Sequence, residues 1–326
     1  MAWQKYLPTV VSLLFCLIGP FSAQAQTDFP NKSVKIVVPF PPGGGADIIA
    51  RMIGAKLSEK WKQPVIVDNR AGASGNIGAE FVSKQPPDGY TWLLTSAPFA
   101  IAPAVFNQLN FDPIKNFTPI TQIATVPLIV VTRADSPLKN MEDLIALARK
   151  DGEKVTFGSF GNGSPAHLVG ESMNQIAKLK MTHVPYKGTS AALPDVVSGQ
   201  LTFAILDAIS ITPMIKSGQL RAIAIMGRQR SPALPDVPTL AQAGIPFETV
   251  GWHAVFAPAG MPKDLAERLN QEINAVIALP EIREKIIAGG SIPASPPWTV
   301  DGWSKQFAQD VKTWGDIARQ SGAKND

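Results

Sequence analysis

The sequence predicts an α/β fold in two domains, each a mainly parallel β-sheet flanked by helices. In the stretch 34–51 (VKIVVPFPPGGGADIIAR), the β-branched run Val34–Val38 predicts a buried strand that leads through three glycines into an amphipathic helix. The same order of strand, small-residue loop and helix recurs along the chain, which is typical of parallel sheets. With 326 residues, the chain exceeds the usual size of one hydrophobic core, so we expect two domains.

The first 25 residues have the pattern of a secretory signal peptide. Lys5 is the only charged residue before an apolar stretch over 10–18, and Ala23-Gln24-Ala25 supplies a cleavage site of the A-x-A type. The apolar stretch is too short to span a bilayer. Cys16, the one cysteine of the chain, lies in this segment, so we expect no disulfide or thiol nucleophile in the mature protein. We therefore expect a soluble protein exported to the periplasm.

Two further strand–loop–helix units follow the opening one. Strands are predicted at 65–67 and 90–95, and the loops that follow them at 68–78 and 96–98. The turn Pro86-Pro87-Asp88-Gly89 separates the units, because proline presets φ and glycine accepts a positive φ. Residues 110–119 are polar and contain proline, which indicates a loop. The apolar stretch 120–132, interrupted by Pro127, is longer than an ordinary strand and predicts a segment that crosses between the domains.

A second series of such units begins after a helix capped by Asn140. Its strands are predicted at 155–158, 181–184, 201–206 and 221–225. Helices are predicted from Pro165 to about Ala177, after Thr189 and near Pro213, and a proline-rich loop covers 230–238.

The chain then returns to the first domain. The apolar stretch 249–257 predicts the second crossing strand, and two helices begin at Pro262 and Pro280. A last helix, at about Val300–Ser321, places its aromatic side chains on one face, where we expect them to pack in the core. We place the first domain at 26–126 plus 249–326 and the second at 127–248.

Composition and motifs exclude several classes of function. The formal net charge is only +4, without a stripe of lysine or arginine, which argues against binding nucleic acid. His167, His183 and His253 are far apart and lack carboxylates at ligand spacing, so we expect no metal site. Residues 161–166 match G-x-G-x-x-A after a strand, but the next strand ends without the acidic residue of a dinucleotide site, so we expect no cofactor.

The strand-end loops are the remaining candidates for a site. They consist of Gly, Ser, Thr and Asn, and each opens a helix. Two domains that present such loops to each other form a cleft lined by N–H and hydroxyl donors, which suits a small carboxylate. One alternative is an exported serine hydrolase that uses Ser164 and His167, although the chain has no G-x-S-x-G motif.

Seven stretches resemble the Bug-type exported substrate-binding proteins of tripartite tricarboxylate transporters. They are VVPFPPGGGADIIAR, DNRAGASGNIGAE, PPDGYT, GSFGNGSPAHL, VPYKGTSAALPDVVSGQ, RSPALPDVPTLAQAG and FAPAGMP, and in this order they span essentially the whole mature chain. The resemblance implies a monomeric two-domain clamshell without enzyme activity. It would capture an organic or aromatic carboxylate in the cleft and deliver it to membrane subunits. A sensor subunit that presents ligand to a signalling partner would share the same site and stays an alternative.

The resemblance also implies which residues bind the ligand. In the first domain these are Phe40, Gly44, Gly45 and Ala46, with Ser96 at the same cleft; in the second they are Ser159, Ser164, His167, Thr189 and Asp207. A structural role stays open for three of them. Ser164 fits a helix N-cap, His167 fits a helix residue with satisfied hydrogen bonds, and Asp207 fits a cap of the turn that follows it.

Overall fold

The computed structural model describes residues 29–323, and the predicted signal peptide lies outside this range. The strands, in chain order, are β1 (Val34–Val38), β2 (Val65–Asn69), β3 (Thr91–Ser96), β4 (Phe117–Val126), β5 (Leu128–Arg133), β6 (Thr156–Ser159), β7 (Thr182–Pro185), β8 (Phe203–Asp207), β9 (Leu220–Ile225), β10 (Gly251–Pro258) and β11 (Ile292–Pro293). The helices are α1 (Gly45–Trp61), α2 (Asn76–Ser83), α3 (Pro98–Val105), α4 (Met141–Asp151), α5 (Pro165–Ile176), α6 (Thr189–Ser198), α7 (Ala208–Lys216), α8 (Lys263–Ile277), α9 (Pro280–Ala288) and α10 (Val300–Ser321).

The strands form two sheets, which confirms the predicted two-domain α/β fold. The first lobe is built on a six-stranded sheet in the order β11-β4-β10-β3-β1-β2, and the second lobe on a five-stranded sheet in the order β7-β6-β8-β5-β9. In each lobe the helices connect and flank the strands. None of the helices within residues 29–323 is long and apolar enough to cross a membrane.

The sheets are mixed, where we expected them to be mainly parallel. β1, β2 and β3 pair in parallel, as do β6, β7 and β8, but β10 runs antiparallel to β3 and β5 runs antiparallel to β8. The antiparallel pairs arise because the chain passes from one lobe to the other. β5 and β10 enter their sheets from the other lobe and therefore begin at the cleft, where β3 and β8 end.

The first crossing between the lobes is short. β4 ends at Val126 in the first sheet and β5 begins at Leu128 in the second, so Pro127 alone separates them. The predicted long apolar segment is therefore two strands of different sheets, and the first of them begins at Phe117, inside the stretch expected to be a loop.

The second crossing lies earlier in the chain than we expected. All of β10, Gly251–Pro258, belongs to the first sheet. Thr239 still forms a parallel bridge with Ile225 of the second sheet. The chain thus changes lobes within 240–250, and the stretch 249–257 is mostly a strand of the first lobe rather than the crossing itself.

Helix α10 connects the cores of both lobes. It packs on α3 and β4 of the first lobe and on α5 of the second. Its side chains Trp303, Phe307 and Trp314 are buried, as the sequence predicts, and they belong to one apolar cluster that also holds Phe157 of the second lobe. The prediction that these aromatics pack in the core is confirmed.

Candidate ligand-binding cleft

A narrow cavity lies where the two lobes meet. Its volume is about 40 Å³, which accommodates a few water molecules. The lobes are closed on each other, since the hydroxyl of Ser74 in the first lobe bonds the carbonyl oxygen of Asn162 in the second. The lining residues are Phe40, Pro41, Gly44, Gly45, Ala46, Ser96, Ala97, Pro98, Val126, Leu128, Phe160, Pro165, Gly188, Thr189, Asp207, Gly251, Trp252 and His253. Seven of the ten residues that we expected to bind ligand are among them.

The floor of the cavity is the crossing between the lobes. Val126 and Leu128, on either side of Pro127, both line it. In the sheet register, Leu128 lies opposite Asp207 in the second lobe, and Val126 lies opposite Gly251 in the first. Ser96, at the end of β3, lies opposite His253 on β10. The strand pairing therefore brings residues from distant parts of the sequence to one point.

Besides α7, whose start is capped by the side chain of Asp207, four helices begin at the cavity wall. Gly44 and Gly188 are the N-cap residues of α1 and α6, Ala97 is that of α3, and Pro165 is the first residue of α5. All four line the cavity. Because the N–H groups at a helix start lack partners within the helix and carry a partial positive charge, this arrangement favours an anion.

The side chain of Asp47 fixes the loop at the start of α1. Its carboxylate accepts hydrogen bonds from the N–H of Gly43 at 3.0 Å and from Asn69 at 3.0 Å, and it pairs with Arg51 at 2.9 Å. Burial acts to raise the pKa of Asp47, but the hydrogen bonds from Arg51, Gly43 and Asn69 outweigh it and lower the pKa below its usual range. Asp47 thus stays charged and is itself neutralised by Arg51.

Glycines let the lobes approach each other closely. A Cβ added at Gly45 would overlap Asp207, and it would lie 2.6 Å from Ile209 Cγ2 and 3.0 Å from His253 Cε1. A Cβ at Gly188 would lie 2.8 Å from Cδ of Pro41 in the other lobe. Since real side chains do not approach this closely, both positions need glycine for the lobes to close.

Asp207 has structural partners within the second lobe. Its Oδ1 accepts hydrogen bonds from the N–H of Ser210 at 3.0 Å and from the Ser210 hydroxyl at 2.7 Å, so it caps α7. Its Oδ2 accepts a hydrogen bond from the hydroxyl of Thr189. The cap that the sequence allowed for Asp207 is present, and the same carboxylate also lines the cavity.

Ser159, Ser164 and His167 lie outside the cavity lining. Ser164 is fully buried and accepts the N–H of His167 as the N-cap of α5. Nδ1 of His167 accepts the N–H of Gly163, and Ser159 lies 2.7 Å from Nε2 of His183. All these hydrogen bonds lie within the second lobe. The Ser164 hydroxyl accepts a hydrogen bond from a backbone N–H, and no imidazole activates it as a nucleophile.

The buried side chain of His167 and the half-buried side chain of His183 stack on each other behind the site. Their ring centroids are 3.9 Å apart with an interplanar angle of 10°. Burial lowers the pKa of His167 to about 4, and burial together with the charge of His167 lowers the pKa of His183 to about 3. Both rings are therefore neutral near pH 7, and no group of His, Cys, Asp and Glu in the described part of the chain could hold a metal ion.

Several lining residues were missed by sequence reasoning. Phe160 and Pro165 belong to the segment 159–167, in which the resemblance implies Ser159, Ser164 and His167, and not these two residues, as ligand contacts. Trp252 and His253 lie on β10, which we had treated only as a crossing strand. A usable signal was present for His253, since it is the one titratable residue in the apolar strand GWHAVFAP.

Two α/β lobes, joined by crossing strands and closed on a cavity surrounded by helix N-termini, define a clamshell-type solute-binding protein. The family model described as "Tripartite tricarboxylate transporter family receptor" matches residues 49–322. The chain belongs to this family, which confirms the resemblance to the Bug-type receptors.

Curated relatives match most of the chain. A UPF0065 protein in the tcbD-tcbE intergenic region of Pseudomonas sp. (strain P51) is 40% identical over 266 residues, which cover 81% of this chain and 79% of the relative. The protein BugT of Bordetella pertussis is 32% identical over 321 residues, which cover 98% of each chain.

Solved structures show the same fold. R. palustris Rpa4515 with adipate superposes with a TM-score of 0.87 at 32% identity, covering 91% of this chain and 99% of that one. MatC from Rhodopseudomonas palustris, with bound malate, gives a TM-score of 0.83 at 28% identity, covering 89% of this chain and 99% of that one.

Proposed function

We propose that this protein is a periplasmic receptor that binds a small carboxylate between its lobes and delivers it to the membrane subunits of a tripartite tricarboxylate transporter. The observation that carries the proposal is the convergence of four helix N-termini on one interlobe cavity. The family and the two similar structures with adipate and malate support a carboxylate as the ligand.

The ligand contacts that we propose are those expected residues that line the cavity. In the first lobe they are Phe40, Gly44, Gly45, Ala46 and Ser96; in the second they are Thr189 and Asp207. We propose that Ser159, Ser164 and His167 support the loop that carries Phe160 and do not contact the ligand. The domains are proposed to be 26–126 plus 249–326 and 127–248, closing about Pro127 and the chain within 240–250.

We propose that the protein acts as a monomer and without catalysis. Binding would select the closed state of the lobes, which replaces the water around the ligand by fixed donors. The membrane subunits would then recognise the closed form.

A thermal-shift screen of the mature protein against carboxylates tests this function. We expect at least one small carboxylate to raise the melting temperature in a concentration-dependent manner, because a ligand that binds only the folded state stabilises it. Uncharged analogues, such as the corresponding amides, serve as the control and should have no effect. A folded protein that no carboxylate stabilises would contradict the proposal.

A further inference from the structure

His253 is a buried polar residue that the cleft leaves without a partner. It is only 3% exposed, it lines the cavity, and among the described residues its Nδ1 has no hydrogen-bond partner. An unpaired polar atom in the interior costs free energy, so such an atom at a ligand cavity points to a partner that the ligand supplies. Burial lowers the pKa of His253 to about 4, against the opposing charge of Asp207, so the ring is neutral near pH 7 and offers one N–H donor.

Asp207 meets His253 at the start of α1. Both side chains lie against the Cα of Gly45, where an added Cβ would collide with Asp207 and lie 3.0 Å from Cε1 of His253. Asp207 is the one charged side chain among the residues that line this cavity, and no lysine or arginine is among them. The site therefore combines a fixed carboxylate and a neutral imidazole with the positive ends of helices.

The basic residues that lie nearest to the cavity in the sequence do not supply a free positive charge to it. Arg51, one turn along α1, is paired with Asp47 at 2.9 Å. Lys187 precedes Gly188, but it is exposed and does not line the cavity. The charge of a ligand carboxylate must then be balanced by N–H groups and the imidazole, next to the carboxylate of Asp207.

We propose that Asp207 and His253 restrict the cleft to ligands that bring a single carboxylate into it, so that monocarboxylates with an apolar body bind better than dicarboxylates of the same size. The proposal rests on the carboxylate-binding function above and narrows its ligand class. His253 donates to the ligand carboxylate, and Asp207 repels a second one across a site of low dielectric constant. Phe40, Phe160 and Trp252 form the apolar wall for the rest of the ligand.

The test compares pairs of acids that differ in one carboxylate. Isothermal titration calorimetry of the mature protein with hexanoate and adipate, and with benzoate and phthalate, gives the ratio of affinities in each pair. We expect the monocarboxylate of at least one pair to bind about tenfold or more tightly than its dicarboxylate, because like charges a few ångströms apart in a partly buried site cost at least that much.

The variant Asp207→Asn removes the repelling charge while keeping an N-cap of similar quality for α7. We expect it to reduce the preference for the monocarboxylate about tenfold, mainly by improving the binding of the dicarboxylate. The matched control is Asp195→Asn, which makes the same change of charge in α6 at a residue that bonds the hydroxyl of Tyr186 and does not line the cavity. The control should leave the ratio unchanged.

His253→Phe removes both ring nitrogens and should weaken the binding of all four acids by about tenfold, since one hydrogen bond to a charged group is lost. Circular dichroism of each variant establishes that it is folded. A wild type that binds dicarboxylates as well as their monocarboxylate partners, or an Asp207→Asn ratio equal to that of the wild type, would overturn this inference and leave the carboxylate-binding function intact. A wild type that binds no carboxylate in the wider screen would instead overturn the function itself.

Discussion

The hydroxyl of Ser74, in the first lobe, donates a hydrogen bond of 2.6 Å to the carbonyl oxygen of Asn162 in the second. Ser74 precedes α2, and Asn162 lies in the loop between β6 and α5, so the bond joins the lobes beside the cavity. The two loops fit closely here, because a Cβ at Gly161 would lie 2.6 Å from the Ser74 hydroxyl oxygen. Ser74 also has a φ of 54°, a conformation that costs free energy for a residue other than glycine. The bond across the interface, made despite this cost, is a contact that favours the closed state.

Ser74→Ala should weaken the closed state without unfolding the protein. The net contribution of one such hydrogen bond is about 1 kcal/mol, so we expect the ligand dissociation rate to rise about fivefold. Stopped-flow measurement of dissociation, following the intrinsic tryptophan fluorescence, gives this rate. Ser83→Ala is the matched control, because Ser83 donates a 2.8 Å bond to the carbonyl of Glu80 within the first lobe. Equal dissociation rates for Ser74→Ala and the wild type would show that the bond does not hold the lobes together.

Ser164→Ala should lower stability and leave carboxylate binding within about twofold of the wild type. The hydroxyl caps α5 and does not line the cavity, and loss of an N-cap costs about 1 kcal/mol. Urea unfolding measures the free energy of unfolding, and calorimetry measures the affinity. Thr299→Ala, which removes the N-cap of α10, is the matched control and should lose a similar amount of stability.

Ser164 also distinguishes the receptor function from the alternative, a serine hydrolase, that the sequence allows. A fluorophosphonate probe labels a serine whose hydroxyl is activated as a nucleophile. We expect no labelling of the wild type, because the Ser164 hydroxyl is buried and accepts a backbone N–H. Labelling that Ser164→Ala abolishes would support the hydrolase instead.

Local sequence patterns were sufficient to predict most helices and strands. They were not sufficient to predict the site, because its residues are brought together by strand pairing between distant parts of the chain. The β-branched run Val34–Val38 and the helix Val300–Ser321 were predicted because their signals lie within the segment itself. The position of His253 depends on the antiparallel pairing of β10 with β3, which no local pattern contains. Helix α3, Pro98–Val105, was missed because it is apolar on all sides and holds Pro103, so it has no amphipathic period.

The histidines predict that stability falls in mild acid. In the unfolded chain a histidine takes up its proton near pH 6.5, whereas burial keeps His167 and His253 neutral to about pH 4 and His183 to about pH 3. Between pH 6.5 and 4 the unfolded state therefore binds more protons, so the free energy of unfolding decreases as the pH falls. Each histidine contributes a slope of up to about 1.4 kcal/mol per pH unit.

Glu171 opposes this trend at the acid end, because burial raises the pKa of its carboxyl, which faces His167 at 3.9 Å. Urea unfolding at pH 7, 6 and 5 measures the slope. We expect His167→Gln to reduce the slope by about one proton, and an exposed titratable residue such as Lys139 replaced by Gln to leave it unchanged. A free energy of unfolding that is constant from pH 7 to 5 would contradict the assignment of neutral buried histidines.

Gly45→Ala should prevent full closure of the lobes. The new methyl group would meet Ile209 Cγ2 at 2.6 Å, His253 Cε1 at 3.0 Å and the carboxylate of Asp207, and two of these three side chains belong to the second lobe. The strain is relieved when the lobes move apart, so we expect the affinity for the carboxylate to fall tenfold or more while stability changes by less than about 1 kcal/mol. Gly315→Ala, within α10, is the matched control, because Gly315 does not line the cavity and a Cβ there approaches nothing more closely than Nη1 of Arg319 at 3.5 Å. Calorimetry gives the affinities, and small-angle X-ray scattering with ligand gives the radius of gyration. If Gly45→Ala binds and closes like Gly315→Ala, the contact between Gly45 and the second lobe does not control closure. A larger radius of gyration for Gly45→Ala alone assigns that control to this one glycine.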